Sequence, residues 1–436
     1  MRTPSRNSDN EDSLNRKNEI ELFKKILQNA VGPYVISIDA PWGTGKTYFT
    51  KCIKNEIEDE IKSIYINAWE SDYNVDPLIT IISELKKIIP PSDFDSLKDK
   101  YISVSKLVLP TAIKLATSAI IDFDKITDSI SEIGEKVVLK KIEDYESEKE
   151  SIEHLKSKLK AIAENINLKK IVVFIDELDR CRPNYAIEFL ERVKHFFDLE
   201  GYIFVLSIDE AQLLESIKVL YGLNFEAEKY LRRFIDYKYI LKSKIQKKYV
   251  ENTVRRIGLD EIMRKHLNLE DYIQHFINII TYLSQINKLT ARDINQIVSQ
   301  INLTFITLNK GTKIQLCDLL ITLVFLKYKN KKLYYEFVSG NISPDEVLKE
   351  LLLCENLWDT QFIKYNTRIV SWILGTAKVK GLKSKILDKL DSLTKNEDIS
   401  DTDRNKKYAL QVMDNLNRHS EYDYVEHLSK LKQYNL

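Results

Sequence analysis

The chain has 436 residues, 44% of them hydrophobic and 30% charged, which is enough for a substantial core and two or three domains. Lysine plus arginine (66) nearly balances aspartate plus glutamate (65), so no overall field draws the protein to nucleic acid or to an anionic membrane surface. Cys52, Cys181, Cys317 and Cys354 form no CxxC pair, which argues against a disulfide framework and a zinc cluster and for a reducing, cytoplasmic setting.

The polar start, MRTPSRNSDNEDSLNRK, lacks the apolar core of a secretory signal, and residues 1–12 read as a disordered leader. Five β-branched or aromatic runs follow in chain order: YVISIDA (34–40), SIYINAW (63–69), KKIVVFIDELDR (169–180), GYIFVLSIDE (201–210) and DYKYIL (236–241). Helical spacings lie between them, at Leu78, Ile82, Leu85 and Ile89, at Ile152, Leu155, Leu159 and Ile162, and at Ala186, Phe189, Leu190, Val193 and Phe197. Strands alternating with helices predict an α/β fold, a parallel sheet flanked by helices, over residues 13–245.

The stretch from about 92 to 168 is too long for a simple crossover and reads as a helical insertion. Within it ISVSKLVLPTAIKLATSAII (102–121) is the most membrane-like segment, but Lys106, Pro110 and Lys114 interrupt it, and the expectation is a helix pair rather than a span. After residue 245 helical periods dominate. A helical lid over 246–310 and a C-terminal helical domain over 311–436 are expected, with polar breaks near 309–313, 338–344 and 392–406. One helix start is well marked: Thr290 and Asp293 have capping-box spacing, and Ile294, Ile297, Val298 and Ile301 form an inward stripe.

The chemistry concentrates after the first and third runs. DAPWGTGKT ends like a phosphate-binding loop, in which glycines let backbone N–H groups converge on phosphates at the positive end of the next helix. Pro41, Trp42, Gly43, Thr44, Gly45, Lys46, Thr47 and Tyr48 are the candidate nucleotide-binding residues; Lys46 can reach the β- and γ-phosphates and the Thr47 hydroxyl can bind Mg²⁺. Ala40 stands where such loops begin with glycine, which its single methyl permits if its φ is negative. Trp42 either covers the phosphates or packs. A chance Gly/Lys turn would not explain the second motif, IVVFIDE, which places Asp176 at the carboxyl edge of the sheet to hold the magnesium and Glu177 to orient or deprotonate a water.

DAPWGTGKT, YINAWESDYNVDPL and VVFIDELDRCRP together resemble the KAP family of P-loop NTPases, itself similar to the wider AAA+ and STAND ATPases, over roughly residues 12 to 300. The family's Asn-Ala-Trp matches Asn67, Ala68 and Trp69, and its Asp-Arg-Cys-x-Pro matches Asp179, Arg180, Cys181 and Pro183. The resemblance implies ATP and Mg²⁺ as ligands, and bacterial anti-phage contexts for soluble members. The insertion that carries membrane helices in many members is here too charged to span a bilayer.

Three further residues are candidates. Ser207 ends the fourth run, where related ATPases place a γ-phosphate sensor; a capping serine is the alternative. Arg233, beside Arg232, precedes the fifth run, where AAA+ proteins offer an arginine finger to a neighbouring subunit, although helix C-termini attract arginine anyway. Arg292 lies in a helix first turn that the dipole disfavours, as a sensor or as an ion-pair partner of Asp293 or Glu261. Asp179 and Arg180 either pair with each other or face a subunit interface. KSKIQKK (242–248) and KYKNKK (327–332) are the lysine groups nearest to a nucleic-acid signal, and a solvated face accounts for both. The reading is an ATPase switch that works through a protein partner of the helical region and a nucleotide-dependent homo-oligomer, with a nucleotide-gated scaffold as the alternative.

Overall fold

The structure is a computed structural model that describes residues 14–74, 76–117, 133–166, 170–242, 245–308, 310, 314–339, 341–353, 369–371, 373–375, 384–395 and 404–417. The expected leader over 1–12, residues 118–121, Cys354 and the break at 396–403 lie outside the described residues. The chain divides into two compact units, Arg16–Lys242 and a second made of Met1–Asn15 with Ser243–Leu436.

The first unit is built on five strands, β1 (Tyr34–Asp39), β2 (Lys62–Asn67), β3 (Ile171–Asp176), β4 (Tyr202–Ile208) and β5 (Tyr237–Ile240), in the order β2-β3-β4-β1-β5. Every pairing is parallel. β3 and β4 are buried along their whole length, which is why they read as unbroken apolar runs. One face packs on α1 (Lys17–Asn29) and α2 (Lys46–Ile57): Phe23, Leu27, Phe49 and Ile53 cover Ile36, Ile38, Val172, Phe174, Ile203 and Val205. The other face, with Val173, Ile175, Phe204 and Leu206, packs on α4 (Pro77–Leu85), α5 (Pro91–Thr117), α6 (Ile133–Glu164), α7 (Pro183–Phe197) and α8 (Glu210–Tyr221). Each large side chain so covered contributes roughly 1.5–3 kcal/mol.

The expected α/β architecture is therefore present, with local differences. The second strand stops at Asn67, because the Asn67 side chain accepts from the Trp69 and Glu70 amides and starts α3 (Ala68–Ser71). The third stops at Asp176 and gives way to a 3₁₀ turn, Leu178–Arg180. Residues 102–117 belong to one continuous helix instead of a helix pair; Pro110 removes a single backbone donor and does not end it. Among the described residues no helix is long and apolar enough to cross a membrane.

The second unit is helical. Its core joins α10 (Lys247–Ile257), α12 (Ile273–Ile286), α13 (Ala291–Ile306), α14 (Ile314–Lys329), α15 (Lys331–Ser339) and α16 (Pro344–Glu350) to Leu390 of helix Lys385–Lys395 and Val412 of helix Arg404–Asn417. The capping box at Thr290 forms as its spacing predicts, and Tyr328 Oη donates to Asp293 Oδ1 at 2.6 Å, tying α14 to the start of α13.

Candidate nucleotide site

Residues 40–45 leave β1 and turn into α2. Gly43 (φ 85°) and Gly45 (φ 93°) adopt left-handed backbone that a side chain would strain. Ala40 is not among the positive-φ residues; its amide donates to Ile208 O at 3.2 Å and its methyl lies in the core under the sheet. Alanine is tolerated there because the position needs no glycine backbone. Thr44 Oγ1 donates to Pro41 O (2.8 Å), bracing the loop from within. No side chain caps α2 at Gly45, so its first-turn amides face out of the helix at the positive end of the dipole.

Lys46 is 8% exposed, and its ammonium donates to Ala40 O at 2.5 Å and Pro41 O at 3.4 Å. Burial pulls its pKa down, opposed by the carboxylates of Asp179, Asp209, Asp176 and Asp39.

Asp176 and Ser207 are partners in register at the ends of β3 and β4, on the face that α2 covers. β4 lies between β3 and β1, so one strand separates Asp176 from the strand that leads into the loop. Asp176 Oδ2 accepts from Tyr65 Oη (2.8 Å) and Oδ1 accepts from the Glu177 amide (3.0 Å). Ser207 is wholly buried and its hydroxyl has no partner among the described residues, so it caps nothing. A buried hydroxyl left without a bond costs about 1–3 kcal/mol unless a ligand or water satisfies it.

Glu177 stands in left-handed backbone (φ 61°), which costs a non-glycine residue roughly 1–2 kcal/mol. Its carbonyl accepts from the Arg180 amide (3.1 Å) and Cys181 Sγ (3.7 Å), and its carboxylate pairs with Arg180 Nη1 at 3.1 Å. The Glu177 carboxyl is pushed up chiefly by burial, with Arg180 and a hydrogen bond from Asn67 opposing. The Arg180 guanidinium lies 5.7 Å from the Trp42 ring centre and 5.8 Å from that of Trp69. Trp42 is 39% exposed and held by two hydrogen bonds: its Nε1 donates to Asp179 Oδ2 at 2.5 Å and its amide to Asp209 Oδ2 at 3.2 Å. Arg180 pairs with Glu177 and Asp179 bonds Trp42, so the Asp179–Arg180 pair that the sequence leaves open does not form.

The remaining candidates are on other elements. Arg233 is exposed just past α9 (Ala227–Leu231) and stacks on Tyr230 at 5.9 Å, while Arg232 pairs with Glu228 at 3.6 Å. Arg292 is exposed in the first turn of α13, in the helical unit. Asp293 serves the capping box and Tyr328, and Glu261 pairs with Lys265 (3.4 Å), so neither forms the expected ion pair. In the lysine groups, Lys327 lies over Tyr334 and Lys329 donates to Asn287 Oδ1, local contacts that need no nucleic acid.

Sequence reasoning missed Tyr65, Asp209 and Asp39. Asp39 accepts from the Glu210 amide (2.9 Å) and pairs with Lys238 (2.9 Å), which also holds Glu210 (2.7 Å). The signal for the acids was available: Asp39, Asp176 and Asp209 each stand at or just past the end of a buried strand. Tyr65 had none, because its partner lies 111 residues away.

The donor set is all oxygen. Asp176 and the Thr47 hydroxyl suit Mg²⁺, which takes one or two protein oxygens and completes its shell with water and phosphate. Among the described residues no group of three or more His, Cys, Asp or Glu could hold a metal by itself.

Three solved structures with some likeness are the Aeropyrum pernix ORC2 protein in ADPNP–ADP complexes, a DNA replication initiation factor and Drosophila ORC bound to DNA. The first is 14% identical over 98% of this chain and 88% of that one, with a TM-score of 0.35. The second is 14% identical over 95% and 91% (TM-score 0.31), and the third 12% over 97% and 86% (TM-score 0.30). Likenesses this weak carry no argument about this chain. A search of curated proteins found no match. The sequence does match the KAP family P-loop domain over residues 16–307, more than half of its length. A P-loop domain implies nucleotide binding, and the motifs at 39–47, 65–78 and 172–183 are here on one α/β unit; the chain belongs to the KAP family of P-loop NTPases.

Proposed function

We propose that the α/β unit binds ATP with Mg²⁺ and hydrolyses it slowly, as a conformational switch. The observation that carries this reading is the in-register pair Asp176 and Ser207, at the carboxyl ends of two wholly buried strands and on the face covered by α2. Ligands of open parallel sheets bind at that end. The amides of 43–48 and the Lys46 ammonium would receive the phosphates, with Pro41 and Trp42 shaping the loop. Thr47 and Asp176 would hold Mg²⁺, which supplies charge neutralisation at the β- and γ-phosphate oxygens. Tyr65 holds one Asp176 oxygen and fixes the carboxylate for that task. Glu177 would orient the attacking water or take its proton, and Ser207 would donate to the γ-phosphate.

Arg233 as a finger acting in trans and Arg292 as a phosphate sensor are parts of the same proposal. Arg233 is supported by its exposure, and Arg292 by having no ion pair among the described residues. A finger in trans predicts assembly, so light scattering should give a larger mass with ATP and Mg²⁺ than without, and Arg233→Ala should abolish the difference. The helical residues from 246 onward would pass the signal to a protein partner. A reducing, cytoplasmic location and an anti-phage role rest on the cysteine pattern and the family resemblance; plating efficiency of phage on cells with wild type or Lys46→Ala tests the role.

A second reading, a nucleotide-gated scaffold with little turnover, is favoured by one observation: the Glu177 carboxylate is engaged by Arg180. Phosphate release separates the two. The enzyme reading expects Glu177→Gln to lower the rate about a hundredfold with ATP still bound. Equal, near-zero rates in wild type and variant would leave only the scaffold.

A further inference from the structure

Arg180 joins parts of the chain that are far apart in sequence. Its guanidinium lies against Trp42 of the loop before α2 and Trp69 of α3, and Nη1 is 3.1 Å from Glu177 Oε1. Each tryptophan is itself anchored. Trp42 is fixed by Asp179 and Asp209, and the Trp69 amide donates to the Asn67 side chain that starts α3. An exposed arginine samples many rotamers; one held between two indole rings loses most of that freedom.

We infer that Arg180 is the positioning residue of Glu177, locked by Trp42 and Trp69, so that the phosphate-binding loop sets through Trp42 where the Glu177 carboxylate stands. The inference rests on the ATPase reading above. Three features support it. Glu177 occupies left-handed backbone, so its direction depends on contacts beyond its own turn. Arg180 is on that turn, and its ring partners are on two other elements. Trp42 lies between the loop glycines and Asp179, so a shift of the loop moves one wall of the Arg180 slot.

The test uses the full chain with ATP and Mg²⁺. Arg180→Ala should lower kcat about tenfold to a hundredfold, as expected when a catalytic group is misplaced by about 1 Å. KM and the calorimetric Kd for ATP should stay within about twofold, because Arg180 is not assigned to the phosphates. Arg180→Lys should recover little, since an ammonium cannot lie flat between two rings and pair at the same time. Trp69 is 55% exposed, so its variants should fold even if those of Arg180 do not. Trp69→Ala should lose several-fold in kcat and Trp69→Phe, which keeps a ring face, should regain most of it.

Wild-type kcat in both Arg180→Ala and Trp69→Ala overturns the inference, and so does a rise in kcat or full rescue by lysine. Wild-type protein that binds no ATP would instead overturn the nucleotide reading itself. Binding without turnover in wild type would sink the enzyme reading and, with it, any positioning role.

Discussion

The loop 40–47 and the turn 177–183 both leave the carboxyl end of a buried parallel strand, and both pass through left-handed backbone. The loop uses glycine for this, at Gly43 and Gly45, so the bend costs little and the amides stay free of side-chain crowding. The turn uses Glu177, which pays for its conformation with contacts to Arg180 and Cys181. A site that binds through main-chain amides can discard side chains, whereas a site that needs a carboxylate at one point must keep one and hold it. The loop is therefore written in glycines, and the turn in side-chain partners.

The largest effect should come from the loop. Lys46→Ala removes a buried cation that the charges of Asp179, Asp209, Asp176 and Asp39 favour, and ATP affinity should fall at least a hundredfold by calorimetry. Unchanged affinity would remove the phosphate role of the loop. The strand ends come next. Tyr65→Phe deletes the donor to Asp176 Oδ2, and the Mg²⁺ concentration for half-maximal phosphate release should rise about tenfold with the ATP Kd nearly constant. A response equal to wild type would mean that Asp176 is not a magnesium ligand.

Ser207→Ala distinguishes a sensor from a structural serine. The hydroxyl has no partner among the described residues, so its loss should leave the melting temperature equal or higher while turnover falls about tenfold. A lower melting temperature with unchanged turnover would reverse that assignment. The smallest effect should be Ala40→Gly, the change towards the usual loop. Because Ala40 does not take positive φ, glycine adds unfolded-state entropy and also loses a buried methyl, and should cost about 1–2 kcal/mol in denaturant unfolding, with ATP affinity unchanged. A gain in affinity would show that the methyl hinders the phosphates.

Much of the fold is legible in the sequence, for reasons that particular residues make plain. β3 and β4 are covered on both faces, so IVVFI and YIFVL are unbroken apolar runs of strand length. The start of α13 is legible because a capping box is local: Thr290 and Asp293 satisfy each other within one turn. The second strand is overrun by two residues because Ala68 and Trp69 look like strand residues until Asn67 caps a helix in front of them. The helix through Pro110 is missed as one element because proline has strong local meaning that a long helix can absorb.

What the sequence determined by itself was the KAP-family motif set, the parallel strands and the position of the phosphate-loop motif, since each is encoded by residue type at short spacing. Only the tertiary structure decided the strand order, with β4 between β3 and β1, and the partners Tyr65 for Asp176 and Arg180 for Glu177 between Trp42 and Trp69. Local pattern tells a strand which faces are buried; it carries no term for which strand lies beside it. Contacts across the sheet, or between loops more than a hundred residues apart, exist only once the core has closed.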